Sequence, residues 1–182
     1  MKIVSQNKLY KLVSFSRNDF ISDFDKIAHD FGNIFQTSKR GNPEVNRLDA
    51  EDKIKDLMLQ IRCDETSGFV YFVYDNNDLP ISVVVYTGSN RNLHLEIVAT
   101  REDYKSMGFA SNLCLKSFSD LANNYDIDEI TATVNESNRR SIALQESIMR
   151  DDRIECFIDY EDDRIGYTYK IHGLVNAPTM EE

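Results

Sequence analysis

The segment Leu93-His94-Leu95-Glu96-Ile97-Val98 sets a histidine and a glutamate two positions apart within a stretch of strand character. An extended chain turns alternate side chains to opposite faces. Leu93, Leu95 and Ile97 are therefore expected on one side, with His94, Glu96 and Val98 on the other. Two proton acceptors would then share a face. Histidine titrates near neutrality and can take a proton directly, whereas glutamate needs a raised pKa or an intervening water. His94 and Glu96 are thus the candidates for a general base. The plainer alternative is a pair facing solvent or hydrogen-bonded within a sheet. The other two histidines, His29 and His172, have no comparable neighbours.

Immediately downstream, Val98 to Leu113 joins this strand to a helix that opens around Gly108. Gly108 and Ala110 are small enough to let a ligand approach the backbone. The unpaired N–H groups of a first helical turn, together with the helix dipole, favour an anion there. Arg101 and Lys105 add cations beside that turn, in a chain that is otherwise acidic. A diphosphate would suit such a place, although a tight strand-to-helix turn with no ligand would use the same small residues.

Val98-Ala99-Thr100, followed by Tyr104-Lys105-Ser106-Met107-Gly108-Phe109-Ala110-Ser111, resembles motif A of the GNAT superfamily of acyl-CoA-dependent N-acetyltransferases. Lys105 stands at the usual Arg or Gln position, Gly108 and Ala110 at the two small positions, and Ser106 where many members have Gly. The resemblance implies an enzyme that moves the acetyl group of acetyl-CoA to a primary amine of a small-molecule or protein acceptor. It assigns the pyrophosphate to Lys105, Ser106, Met107, Gly108, Phe109, Ala110 and Ser111. The pantetheine arm is assigned to the backbone at Val98 and Thr100. Asn138-Arg139-Arg140-Ser141-Ile142-Ala143-Leu144 resembles motif B, in which an Asn at the helix start touches the pantetheine, and this role falls to Asn138. His94 and Glu96 match strand positions at which members carry base or water-relay residues.

One catalytic position departs from the pattern. Many members place a Tyr after the Leu matched by Leu144, and Gln145 stands there instead. The Gly-Phe that usually follows is replaced by Ile148-Met149-Arg150. A glutamine can hydrogen-bond a sulfur but is a poor proton donor, which leaves Tyr104, Ser141 or a water to supply the proton. The alternative implied by these departures is a GNAT-fold module that binds acyl-CoA, or a protein partner, with little or no turnover.

The elements that would position these residues follow from periodicity and turn chemistry. A strand over Lys8–Phe15 leads into a helix starting near Ser16, with the stripe Phe20, Phe24, Ile27, Phe31 and Ile34 at helical spacing. A turn cluster over Ser38–Val45 precedes a second helix carrying Ile54, Leu57, Met58 and Ile61. Gly68–Tyr74 and Pro80–Tyr86 form a hairpin around Asp75–Asp78. Then come strand Leu93–Ala99, a helix from Gly108, strand Ile127–Val134, helix Asn138–Met149 and two closing strands, Arg153–Tyr160 and Ile165–Ile171. The order β-α-α-β-β-β-α-β-α-β-β predicts an α/β fold with a mixed, twisted sheet of about seven strands and helices on both faces. It matches the GNAT fold. Residues 1–174 are expected to form one domain, and residues 175–182 a disordered tail.

Bulk properties narrow the function classes. The 182 residues carry a formal charge of −10, which repels a phosphate backbone and argues against nucleic-acid binding. A cationic acceptor is favoured instead. The acidic stretch Arg150–Arg164 could attract a polyamine, an aminoglycoside or a basic protein segment, or could simply be a solvated turn and a strand edge defended by charge. No apolar run reaches bilayer length, and the N-terminus turns polar too soon for a signal peptide, so a cytoplasmic location is expected. Cys63, Cys114 and Cys156 are too scattered for a metal site or redox pair and are expected in the core. A homodimer remains open.

Overall fold

The computed structural model describes residues 1–174 apart from 8, 65, 90, 172 and 173. His172 and the tail at 175–182 lie outside the described residues. The chain runs β1 (Lys2–Gln6), β2 (Tyr10–Ser16), α1 (Phe24–Gln36), α2 (Pro43–Cys63), β3 (Ser67–Asp75), β4 (Pro80–Ser89) and β5 (Asn92–Thr100). It continues through α3 (Phe109–Tyr125), β6 (Glu129–Asn135), α4 (Arg139–Met149), β7 (Glu155–Glu161) and β8 (Arg164–Lys170). The strands form one mixed sheet in the order β1-β2-β3-β4-β5-β6-β8-β7. Among the described residues, only β5 and β6 are parallel neighbours.

The sheet has one strand more than the sequence predicts. β1 is short, polar and mostly exposed, so it lacks the alternation by which a half-buried strand is read. The first helix is also divided. A 3₁₀ turn, Arg17–Phe20, is closed by the Asp19 carboxylate, which accepts from the Ser16 N–H and Oγ at 2.9 Å. α1 then begins at Phe24, and the apolar stripe survives the break, with Phe20, Ile27, Phe31 and Ile34 buried. α2 starts inside the supposed turn cluster, because Pro43 occupies its first turn and Asn42 Oδ1 accepts from the Glu44 N–H at 2.9 Å.

The two faces of the sheet make two cores. α1 and α2 cover Phe15, Val70, Phe72, Val83 and Val85. α3 and α4 cover Tyr71, Val84, Tyr86, Leu93 and Tyr169. β3 and β4 are buried on both sides, which is why they read as nearly continuous apolar runs. Gly32 lets α1 and α2 cross closely, since a Cβ there would meet the Arg47 carbonyl oxygen at 2.9 Å. Of the cysteines, Cys114 is buried, with burial pushing its thiol up to about 12, and Cys156 is half-buried. Cys63, expected in the core, is exposed at the end of α2.

One buried carboxylate ties the edge of the sheet to α3. Asp120 accepts from the Tyr71 hydroxyl at 2.8 Å, the Lys2 ammonium at 2.7 Å and the Asn124 amide at 2.8 Å. Removing it strands a buried hydroxyl, whereas Lys2 is half-exposed and can return to water. Asp120→Ala is therefore expected to cost about 3 kcal/mol of unfolding free energy, and Lys2→Ala, which leaves the buried carboxylate its Tyr71 and Asn124 donors, about 1–2 kcal/mol. Urea titration of both variants checks this, and equal losses would contradict it.

Candidate functional site

β5 and β6 run together only through the pairs Asn92–Glu129, Leu93–Ile130 and His94–Thr131, and then part. β4 holds the outer edge of β5 and β8 holds that of β6. Beyond His94 and Thr131, the backbone groups facing each other across the gap therefore have no strand partner. Peptide groups withheld from a partner are costly when dry, so such a gap suits an extended ligand that can hydrogen-bond to them. A cleft of about 920 Å³ opens there. Its walls come from β5, β6, the first turn of α3, α4 from Asn138, and the segment after α1.

β5 carries a bulge at the cleft wall. Its register with β4 passes from Ile97–Val85 to Leu95–Tyr86, leaving Glu96 with no residue opposite. The strict alternation expected from the sequence is broken at this point. Val98 packs with Leu93 and Leu95 against the α3/α4 core, while Ile97 and Ala99 pack against the α1/α2 core. Thr87 lies opposite His94 and donates from Oγ1 to Glu96 Oε1 at 2.5 Å, so His94 and Glu96 keep a common neighbour although Val98 leaves their side. Glu96 is exposed on the cleft wall, and its second carboxylate oxygen has no partner among the described residues. His94 sits at the closed end of the gap, its Nδ1 3.0 Å from Thr131 Oγ1, and does not line the cleft.

The loop after β5 is held at both ends. Thr100 Oγ1 lies 2.8 Å from Ser82 Oγ, and the Arg101 N–H donates to the Ile81 carbonyl at 2.9 Å. The Glu102 N–H donates to Thr37 Oγ1 at 3.0 Å, which ties the loop to the end of α1. Ser106 and Gly108 take left-handed φ values of 64° and 80° and turn the chain into α3. A Cβ on Gly108 would meet nothing closer than Asn112 Nδ2 at 3.5 Å, so conformation rather than crowding calls for glycine. The N–H groups of Phe109, Ala110 and Ser111 find no acceptor among the described residues and are left for a ligand at the cleft. Phe109 is braced edge-on by Tyr10 and Tyr104, at ring separations of 4.9 and 5.7 Å. The Met107 side chain lines a different cavity.

Electrostatics sharpen the site. Arg101 is spent on Asp103 at 3.2 Å. Lys105 instead joins Lys39, Arg40, Arg139 and Arg140 around the mouth of the cleft. The Lys105 ammonium bonds to Glu102 and holds that carboxyl below its ordinary value, with Lys39 and Arg140 adding to the effect. Lys39, Arg40, Arg139 and Arg140 have no carboxylate within ion-pair distance among the described residues. The arginines flanking Asn138 were on view in the sequence, but nothing local indicated that they would meet residues 39, 40 and 105.

α4 supplies the opposite wall. Asn138 caps the helix through Oδ1, which accepts from the Ser141 N–H at 3.2 Å, so its amide nitrogen remains for a ligand. Gln145 is buried and lines the cleft. Its Oε1 accepts from the Tyr169 hydroxyl at 2.6 Å, and burial pushes that hydroxyl well above its ordinary pKa, so it stays a donor. Tyr104 and Ser141 also line the cleft.

A family model described as "Acetyltransferase (GNAT) family" matches residues 29–149, more than half of the chain. No curated protein sequence matches. Among solved structures, spermidine N-acetyltransferase from Vibrio cholerae in complex with CoA and spermine is similar at a TM-score of 0.53 and 16% identity, over 90% of this chain and 95% of that one. PaiA N-acetyltransferase from Thermoplasma acidophilum in complex with coenzyme A is similar at 0.55 and 10%, over 88% and 98%. Ribosomal-protein-S5-alanine acetyltransferase from Vibrio fischeri is similar at 0.55 and 14%, over 94% and 98%.

The turn into α3 generates a stability prediction. Gly108→Ala forces a Cβ into the left-handed region and is expected to cost about 1–2 kcal/mol. Ser106→Gly relieves that strain at a neighbouring position, against the added entropy of the unfolded chain, and should be neutral or stabilise by up to about 1 kcal/mol. Thermal unfolding of the two variants gives the order, and the reverse order would contradict the turn described here.

Proposed function

The chain belongs to the GNAT acetyltransferase family, and we propose that it transfers the acetyl group of acetyl-CoA to a primary amine of a small-molecule or protein acceptor, with Glu96 as the base. Acetyl-CoA is the co-substrate. The observation that carries this reading is the open gap between β5 and β6, with free N–H groups at the start of α3 on one side and the Glu96 carboxylate on its wall.

The residues present fit that co-substrate. The N–H groups of Phe109, Ala110 and Ser111 suit a pyrophosphate, and the cations around the mouth suit its phosphates. The unpaired edge of β5 at Val98 to Thr100, with the Asn138 amide opposite, suits the amides of the pantetheine arm. When bound, acetyl-CoA supplies an activated thioester carbonyl. Glu96, steadied by Thr87, removes a proton from the acceptor ammonium, directly or through a water. Free N–H groups along β5 are the donors available to the carbonyl oxygen as charge develops on it. Gln145 is held by Tyr169 with its amide nitrogen left to hydrogen-bond the departing sulfur, and Tyr104 or Ser141 offers the proton.

The acceptor we favour is cationic. Glu155, Asp159 and Glu161 are exposed along β7, and the chain as a whole is acidic. The similarity to a spermidine N-acetyltransferase puts polyamines in the first panel to be tested. A second reading, a module that binds acyl-CoA with little turnover, is favoured by Gln145, because an amide cannot replace a proton donor.

Acetyl-CoA-dependent thiol release against polyamines, aminoglycosides and peptide N-termini separates the two. Turnover is expected with at least one cationic amine, with Glu96→Gln lowering kcat/KM by about 10²–10⁴-fold and His94→Gln having a much smaller effect. Full activity in Glu96→Gln would remove the assigned base. Silence across the panel would favour the module that binds without turnover.

A further inference from the structure

A second cavity, of about 230 Å³, lies against the side of the α3 first turn that faces β2. Phe109 is a wall common to this cavity and the cleft. Tyr10, Leu12, Val73 and Leu113 give it an apolar lining, and Met107 stands at its rim, 60% exposed. The left-handed residues on either side, Ser106 and Gly108, turn the Met107 side chain to this side of the loop.

Two lysines reach the cavity, and their situations differ. Lys11 is committed to an ion pair with Asp78 and lies over the Tyr74 ring at 5.3 Å. Lys116 follows Phe109 and Leu113 on one face of α3, at the helical spacing that brings all three to the same side. It is half-buried, has no carboxylate within ion-pair distance among the described residues, and is pushed below its ordinary pKa by burial alone. A cation drawn out of water beside an apolar hollow is costly unless an anion meets it. The hollow is smaller than the about 300–1,000 Å³ of drug-sized sites, so its occupant is small.

We propose that this cavity is a binding site for a small apolar carboxylate, whose hydrocarbon part packs on Tyr10, Leu12, Val73 and Leu113 and whose carboxylate pairs with Lys116. The site is separate from the cleft and does not depend on how the acetyl transfer proceeds.

The probe is phenylacetate, with 2-phenylethanol as its uncharged counterpart, titrated into the full chain carrying ¹³C-methyl methionine. The Met107 methyl resonance reports on the rim. A saturable shift with phenylacetate is expected, weakened about tenfold with 2-phenylethanol and by about the same factor in Lys116→Met. Saturating acetyl-CoA should leave phenylacetate binding in place. The proposal is overturned by the absence of a saturable Met107 shift, by equal affinity for acid and alcohol in the unaltered chain, or by competition with acetyl-CoA, which would locate the acid in the cleft instead. Failure of thiol release would leave these outcomes unaffected, so the two readings fail separately.

Discussion

The structure turns on the place where β5 and β6 stop pairing. Each strand is held on its outer edge by an antiparallel neighbour, so the sheet can afford to open between them without coming apart. The bulge at Glu96 contributes, because an extra residue increases the local bend and twist of a strand. The opening leaves backbone groups without partners at the surface of a cleft, where water or a ligand can satisfy them. The same bulge reassigns side chains, sending Val98 to one core and Ile97 to the other while leaving Glu96 on the wall.

Charge is distributed to match. The chain carries −10, yet Lys39, Arg40, Lys105, Arg139 and Arg140 gather at the mouth of the cleft, beside the open N–H groups of α3. Acidic side chains dominate the exposed β7 edge instead. The anionic co-substrate is thereby offered one part of the molecule, and the cationic acceptor proposed above would meet a net negative field on its approach. The left-handed turn at Ser106 and Gly108 links the two features, since it delivers the free N–H groups to the edge of the basic mouth.

Much of this was legible in the sequence. The β3–β4 hairpin, β5, α3, α4 and the closing strands announce themselves through alternation, helical spacing and turn residues, and most of the loop from Val98 to Ser111 lines the cleft, with Met107 turned to another cavity. The unread parts have physical reasons. β1 is a polar edge with no buried stripe, and the Asn42–Pro43 cap is built from the same residue types as a loop. Glu96 sits in a bulge that a period of two cannot register, and the basic mouth is assembled from three distant segments by tertiary packing. Gln145 departs from the family pattern in the sequence itself, but its hydrogen bond to Tyr169 spans residues that only the fold brings together.

Hydrogen exchange of the full chain with and without acetyl-CoA tests most directly whether the gap and the α3 terminus receive the co-substrate. Slower exchange is predicted at those N–H groups of Leu95 to Thr100 that face the gap and at Phe109 to Ser111, which have no protein partner among the described residues. Unchanged exchange in both segments at saturating acetyl-CoA would contradict a co-substrate held between β5 and β6.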